Sequence, residues 1–239
     1  MSISVGINKI YFSNFINLTP KIPRGRYTQY LSDLYKIYPG SISADTLLDG
    51  DQATYAELGD NLFKEHKLED KLKNIDTIVV AHWSQEFDPD YASCGPYFLH
   101  KYNLNSDIFD VCDNGTLAPI MGLKILKQYI EANASNNAML LCLEQTTIPR
   151  DKSNNDIIPV ESGALALTMS SNDNGEGKYI IKSIDIITEN NFINNIKNID
   201  SIIQNELMEF HVDFKNVLIL IRRGTTIWKI ISKNMLSEK

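Results

Sequence analysis

Cysteine and positive charge are scarce in this sequence of 239 residues. Its three cysteines form no CxxC pair and no Cys/His metal spacing, which predicts neither a disulfide framework nor a metal site. Lysine and arginine together number 23, against 30 acidic residues, and the net charge is −7. Because phosphate-rich partners favour basic surfaces, this balance argues against nucleic acid and anionic membrane surfaces as partners.

Long apolar runs are also missing. No stretch approaches the ~18 residues of a membrane-spanning helix, and the first residues, MSISVGINKIYFSNF, lack the basic and apolar regions of a signal peptide. Hydrophobic residues nevertheless make up 43% of the chain, which excludes a largely disordered protein. We therefore expect a cytoplasmic globular protein with no membrane partner.

Strand-sized apolar runs alternate with helical patterns through the middle of the chain. Continuous apolar runs at residues 75–81, 108–112 and 139–143 predict strands covered on both faces, as in a parallel sheet. Helical spacing of apolar residues predicts helices over residues 51–66 and 117–132. Further predicted elements are a strand at 2–12, a short helix at 97–102, a hairpin of strands 164–169 and 179–187, a helix at 191–210, a strand at 217–221 and a helix at 225–235. This order predicts an α/β layered fold with a mixed sheet and helices on its faces.

Four stretches occur in an ordered set between residues 75 and 171. They are IDTIVVAHWSQEFDPD, YASCGPYFLHKYNLNSDIFDV, CDNGTLAPIMGLKILKQYI, and AMLLCLEQ followed by PVESGALALTMSS. In this order and spacing, the set resembles the N-terminal half of thiolase-fold condensing enzymes, especially the ketoacyl synthase III branch. The resemblance implies a thiolase-like layered fold, with mixed sheets and a buried central helix. It also implies an N-terminal half at residues 1–189 and a shortened C-terminal half at residues 190–239, packed as one unit.

The chemistry implied by the resemblance takes place at the start of the buried helix. There the helix dipole and backbone N–H groups favour the thiolate of a cysteine, which accepts an acyl group from a thioester. This chain departs from that pattern, because Gly115, or less readily Asn114, falls where the cysteine belongs. Arg222 and Arg223 stand in the C-terminal turn that carries a histidine in the family. The implied catalytic cysteine and histidine are therefore both missing from their expected positions.

Four further residues are candidates for the site, each with an alternative interpretation. Cys112 is either a half-buried small hydrophobe or a displaced nucleophile. His82 ends a predicted strand, where ligands bind in open α/β sheets, and is either a base or a loop histidine bonded to backbone. Asp113 and Thr116 either take part in catalysis or cap the helix that follows.

The resemblance also implies ligands and partners. We expect no tightly bound cofactor; acyl-CoA or an acyl-carrier-protein thioester is the implied substrate. Arg222 and Arg223 either bind the phosphates of such a ligand or form a solvated or interface pair. Proteins of this class pair as dimers, so a homodimer or a heterodimer with a ketosynthase-like subunit is expected.

Three hypotheses for function follow. In the first, the chain is a degenerate ketoacyl synthase-like protein, a non-catalytic or supporting subunit in fatty acid or polyketide-like biosynthesis. In the second, it is an acyltransferase or thioester hydrolase, in which N–H groups of Gly115 and Thr116 hold the oxyanion and His82 or Asp113 is the base. In the third, it is a plain α/β domain with an accidental resemblance, which predicts no strand, turn and helix over residues 110–117.

Overall fold

The structure is a computed structural model of the chain. It describes residues 3–15, 29–30, 32–33, 36, 46, 49–84, 86–88, 90–91, 93–112, 117–148, 161–172, 179–181 and 184. All of these lie on the N-terminal side of a division of the backbone after Ile184. The elements predicted beyond residue 190 and the shortened C-terminal half lie outside the described residues. The boundary expected at residues 189–190 therefore stays a prediction.

The helices and strands follow one another in the predicted alternation. In chain order they are β1 (Val5–Phe15), α1 (Tyr55–Glu65), α2 (Glu69–Leu72), β2 (Thr77–His82), α3 (Cys94–Tyr102), β3 (Asp107–Val111), α4 (Ala118–Glu131), β4 (Asn137–Glu144), β5 (Ser162–Ser171) and β6 (Tyr179–Ile181). The three apolar runs predicted as buried strands correspond to β2, β3 and β4. The two long helical patterns correspond to α1 and α4.

All six strands belong to one mixed sheet, in the order β3-β2-β4-β5-β1-β6. Strand β2 pairs in parallel with β3 and β4, whereas β5 is antiparallel to both β4 and β1. His82 pairs with Leu143, and Glu144 pairs with Gly163 near the start of β5. The carboxyl ends of β2, β3 and β4 therefore lie at one edge of the sheet, which we call the carboxyl edge. The predicted mixed α/β architecture is confirmed.

The predicted hairpin between residues 164–169 and 179–187 is wrong in its pairing. β5 and β6 are both strands, but β1 lies between them and is antiparallel to each. Val5 of β1 pairs with Ser171 on one side and with Ile181 on the other. Insertion of β1 satisfies the backbone groups of this segment on both sides and buries the Val5 side chain. If β5 and β6 paired directly, β1 would not have a strand on each side.

Helices pack on both faces of the sheet, and strand alternation assigns each core residue to one face. Ile78 and Val80 of β2 belong to the core under α1 and α3, which we call the α1–α3 face. Val79 and Ala81 belong to the core under α4, the α4 face. β2 is thus apolar on both sides, which explains its continuous apolar run.

A polar network joins α1 to α3. The hydroxyls of Tyr97 and Tyr102 each donate to the carboxylate of Asp60 at 2.7 Å, and Lys101 forms an ion pair with the same carboxylate. Burial, and then the hydrogen bond to Asp60, raise the pKa of Tyr102. The mostly buried Asp60 carboxylate therefore has three donors, which a buried charge requires.

Helix α4 lies unusually close to the strands beneath it. It has a proline in its first turn, which suits a helix start, and its residues buried on the sheet are Ala118, Gly122, Leu126 and Ile130. A Cβ atom on Gly122 would lie 2.6 Å from Cδ1 of Leu140 and 3.0 Å from Cγ1 of Val79.

β3 ends at Val111 and α4 begins at Ala118. The hypothesis of an accidental resemblance predicts no strand and helix here, and that prediction is wrong.

We expect Gly122→Val to lower the free energy of unfolding by about 2 kcal/mol, because the added carbons must push α4 off β2 and β4. Urea unfolding followed by circular dichroism measures the change. Gln128→Val places the same side chain on the exposed side of the same helix and should cost at most ~0.5 kcal/mol. Equal losses in both variants would show that the close helix–sheet contact is not what makes Gly122 necessary.

Candidate functional site at the carboxyl edge

The structure brings two of the predicted site residues to the carboxyl edge. His82 is the last residue of β2, and Cys112 directly follows β3. Ala81 pairs with Val111, so Cys112 comes next to His82 in the register, one residue beyond the paired ladder. The remaining predicted residues lie outside the described residues: Asp113, Gly115, Thr116, Arg222 and Arg223. Their assignments stay predictions.

The imidazole of His82 is held by a hydrogen bond and by an aromatic contact. Nδ1 lies 2.7 Å from the carbonyl oxygen of Ser84, and a carbonyl only accepts, so the proton belongs on Nδ1. The ring also packs against that of Tyr55, with centroids 4.7 Å apart. In this tautomer Nε2 carries the lone pair and can accept a proton. The backbone-bonded arrangement and a role as base are therefore compatible.

His82 lies on the α1–α3 face of the sheet. Its ring contact, Tyr55, belongs to the core of that face, and so does Val80, two residues before it in β2. The neighbouring Ala81 belongs instead to the core under α4. The side chain is thus directed away from the face that carries α4, and the resemblance places the acyl-transfer chemistry at the start of that helix.

Glu86 links the segment after β2 to the start of α1. Its Oε2 accepts a hydrogen bond of 2.6 Å from the backbone N–H of Tyr55, the first residue of the helix. The Tyr55 hydroxyl in turn donates to the carbonyl of Ser84 at 2.9 Å. Burial raises the pKa of Glu86 to about 8, even though the hydrogen bonds from backbone N–H groups favour its charged form. The raised pKa favours the neutral carboxyl group at pH 7, and this group accepts the N–H of the first residue of α1, beside the N-cap residue Thr54.

The three cysteines are free thiols in different surroundings. Cys94 begins α3 and Cys142 lies in β4, and burial raises the pKa of each to about 12. Both thiols therefore remain protonated and act as small apolar side chains, as their apolar sequence contexts suggest. Cys112 is more accessible than Cys94. Burial also raises the pKa of Asp110, and the adjacent His82 partly offsets that rise.

A buried polar contact at the carboxyl edge joins the segment before α1 to the segment after β4. The hydroxyl of Thr146 accepts from the N–H of Asp51 at 2.8 Å, and that of Thr147 accepts from the N–H of Gln52 at 2.7 Å. Gly50 has a φ of +81°, and a Cβ there would lie 2.7 Å from Thr146 Oγ1. The sequence does not predict this pair of hydrogen bonds. The only local feature that points to it is the threonine pair shortly after a buried strand.

The part of the chain that the structure describes shows neither a metal site nor a membrane-spanning helix. Among these residues, no group of three or more His, Cys, Asp and Glu side chains is arranged to hold a metal ion. No helix formed by them is long and apolar enough to cross a membrane.

Replacing Glu86 should change how stability depends on pH. The pKa of Glu86 is about 8 in the folded chain against an ordinary 4.5, so the folded state binds the extra proton between these values. The free energy of unfolding of the natural protein should therefore fall as pH rises from ~4.5 to ~8, by at most a few kcal/mol from this group. Glutamine keeps an acceptor for the Tyr55 N–H but does not titrate, so Glu86→Gln should lack this fall.

Urea unfolding at about pH 5, pH 7 and pH 9 measures this difference. Glu131→Gln removes an exposed carboxylate of α4 and should follow the pH curve of the natural protein. Parallel curves for the natural protein and Glu86→Gln would mean that Glu86 is already ionised at neutral pH in the folded chain.

Comparison with known proteins shows a likeness in structure alone. No protein-family model and no curated protein sequence matches this chain. A histidine-to-alanine variant of OleA from Xanthomonas campestris is 15% identical; the alignment covers 97% of this chain and 81% of that one, with a TM-score of 0.54. In a histidine-to-aspartate variant of OleA, the aligned part is 57% of that chain.

Two further solved structures align less well. The 3-oxoacyl-(acyl carrier protein) synthase III, FabH, of Pseudomonas aeruginosa is 14% identical over 87% of this chain and 72% of its own, with a TM-score of 0.49. The HMG synthase of curacin biosynthesis, in complex with acetyl donor-ACP, is 15% identical over 70% and 41%, with a TM-score of 0.47. The alignment with OleA over nearly the whole chain, together with the sheet order described above, shows that this chain has the layered α/β fold of the thiolase-fold condensing enzymes.

Proposed function

We propose that this chain takes part in acyl-thioester chemistry without a cysteine nucleophile of its own. It would be a degenerate ketoacyl synthase-like subunit that supports a ketosynthase or acyltransferase complex in fatty acid or polyketide-like biosynthesis. One observation carries the proposal: β3 ends at Val111, α4 begins at Ala118, and Gly115 lies between them where the resemblance places the nucleophile. Glycine offers only backbone groups there.

The other thiols do not compensate for this glycine. A thiolate is stabilised by a helix N-terminus only within the first turn, where the unpaired N–H groups and the dipole act. Cys112 directly follows β3 and lies six residues before Ala118, the first residue of α4, so it is outside the first turn of that helix. Cys94 does stand at the start of a helix, but its burial raises the pKa of its thiol to about 12. Neither arrangement supplies the reactive thiolate that the covalent step requires.

A partner subunit would pair with the outer edge of β3. Among the described strands β3 has a neighbour on one side only, β2. Its apolar residues Ile108, Phe109 and Val111 remain partly exposed. An edge strand with free backbone groups and apolar side chains is a suitable place for a second subunit to add a strand. We propose a homodimer or a heterodimer with a ketosynthase-like subunit, formed along the side of β3 that faces away from β2.

Acyl-CoA or an acyl carrier protein would bring the thioester to this assembly. The chain needs no tightly bound cofactor for that role, because the acyl group arrives already activated. Arg222 and Arg223 would contact the phosphates of the CoA or the pantetheine arm through charge-assisted hydrogen bonds.

The chain alone should not accept an acyl group on Cys112. After incubation with acetyl-CoA, intact-protein mass spectrometry should show the unmodified mass, because no described thiol has the surroundings of a nucleophile. Cys112→Ser serves as the control and should give the same result. An acetyl adduct that is present in the natural protein and absent from Cys112→Ser would contradict the proposal.

A second candidate function has one observation in its favour. The hydrogen bond from His82 Nδ1 to Ser84 leaves Nε2 able to accept a proton. Water, an alcohol or an amine would attack the thioester carbonyl directly while His82 takes its proton. As the C–S bond breaks, His82 would return the proton to the thiolate, which leaves as the free thiol. The N–H groups of Gly115 and Thr116 would hold the oxyanion in this reaction. Because His82 lies on the α1–α3 face, Asp113, in the same segment as these N–H groups, is the alternative base.

Release of free CoA by the purified chain, followed with a thiol reagent, tests this second candidate. If the chain hydrolyses acyl-CoA, His82→Ala or Asp113→Ala should slow turnover by about a hundredfold, the usual contribution of a general base. His100→Ala removes an exposed histidine of α3 and should leave turnover unchanged. Turnover that persists in both base variants would exclude this mechanism, and no turnover at all would favour the supporting subunit.

A further inference from the structure

Two lysine ammonium groups converge on the ring of Tyr11, at the C-terminal end of α1. Lys9 Nζ lies 5.4 Å from the ring centroid, and Lys71 Nζ lies 5.5 Å from it. Lys71 also donates a hydrogen bond of 3.3 Å to the Tyr11 hydroxyl. The tyrosine itself is only 6% exposed, whereas both lysines are exposed. The buried ring therefore has two exposed ammonium groups within 5.5 Å of its centroid.

His66 adds a third nitrogen group to this surface. Its ring lies 5.4 Å from that of Tyr11, centroid to centroid. Its Nε2 is 2.8 Å from the carbonyl oxygen of Phe12, which makes Nε2 the donor of that bond. Nδ1 has no hydrogen bond among the described contacts, and it gains an N–H when the ring is protonated. The bond to Phe12 fixes the ring in this position beside Tyr11.

Two carboxylates near these cations in sequence, those of Glu65 and Asp70, are engaged elsewhere. Glu65 accepts a hydrogen bond from strand β1 at 2.5 Å, and Asp70 forms an ion pair of 3.0 Å with Lys73. No carboxylate among the described residues forms an ion pair with Lys9 or Lys71. Two like charges therefore lie at one aromatic ring, and within the described part of the chain neither has an ion-pair partner.

We propose that Lys9, Lys71 and the Tyr11 hydroxyl form a binding site for a phosphate group. Because the hydroxyl accepts its hydrogen bond from Lys71, its own proton is available to donate to an anion. An anion placed between the two ammonium groups relieves their mutual repulsion and receives charge-assisted hydrogen bonds from both. Every group at the site is a donor, which suits a tetrahedral anion with several acceptor oxygens.

Two sources of that phosphate are distinguished by the probe: inorganic phosphate and a phosphate monoester, for which glycerol phosphate is the test compound. Calorimetric titration of the full chain at constant ionic strength, set with chloride, measures binding of each. We expect saturable binding with a dissociation constant of roughly millimolar order. The probe that binds more tightly identifies the source.

Substitutions test whether binding occurs at this site. Lys9→Gln and Lys71→Gln should each weaken binding by about tenfold, which corresponds to ~1.4 kcal/mol. Tyr11→Phe keeps the aromatic ring and removes the hydroxyl, and it should also weaken binding. Lys73→Gln removes a neighbouring lysine whose charge is already paired with Asp70, so it should bind as the natural protein does.

Three results would overturn the proposal. They are the absence of saturable binding at tens of millimolar phosphate, unchanged affinity in both Lys9→Gln and Lys71→Gln, and an equal loss of affinity in Lys73→Gln. An equal loss in Lys73→Gln would show that phosphate responds to the general positive charge near the C-terminal end of α1 and not to this particular site. Circular dichroism of each variant confirms that it is folded, and the two single lysine variants, both at exposed positions, test the site independently.

Discussion

The burial of strands β2 and β4 between helices on both faces is the constraint on which the rest of the described structure depends. Val79, Val80, Leu140 and Leu141 are almost completely excluded from solvent. Such burial contributes about 25 cal/mol for each Å² of apolar surface, and it is achieved only if α4 closes one face while α1 and α3 close the other. The carboxyl ends of β2, β3 and β4 are then fixed at one edge, and that edge positions His82, Cys112 and Glu86.

Helix α1 has one buried acidic group in its middle, Asp60, and meets a second, Glu86, at its first residue. Asp60, near its middle, accepts from two tyrosine hydroxyls and forms an ion pair with Lys101. Glu86 meets the first residue of the same helix, and burial, with a further contribution from the Asp88 carboxylate, raises its pKa. The α1–α3 face is therefore held by a charged contact within the helix pair and by a protonated carboxyl at the carboxyl edge.

The sequence predicts the centre of this fold well because the signals there are local. Continuous apolar runs identify β2, β3 and β4, and the spacing of apolar residues places α4 within one residue of each end. The pairing of β1 is not predictable in this way, because its partners lie more than a hundred residues away in the chain and no local pattern shows which strand inserts between β5 and β6.

The candidate site is predictable in the same partial sense. The end of β2 follows from its apolar run, so His82 is correctly placed at the carboxyl edge. The sequence does not show on which face of the sheet α4 packs, so it does not predict that His82 lies on the opposite face. Glu86 follows His82 in a polar stretch that could form a site with it, but its raised pKa comes from burial in the folded chain, which the sequence does not show. The glycine at position 115 has meaning only through the resemblance to the condensing enzymes.

The position of β1 between β5 and β6, two strands made much later, has a consequence for folding during translation. Val5–Phe15 leaves the ribosome well before Ser162–Ser171 and Tyr179–Ile181, the two strands with which it pairs. At 5–20 residues per second, the nascent chain carries this unpaired segment for roughly ten to thirty seconds before its partners emerge. Ile10 and Phe12 remain exposed even after folding. During translation, β1 is therefore an unpaired strand with apolar side chains, and a chaperone would protect it until its partners are made.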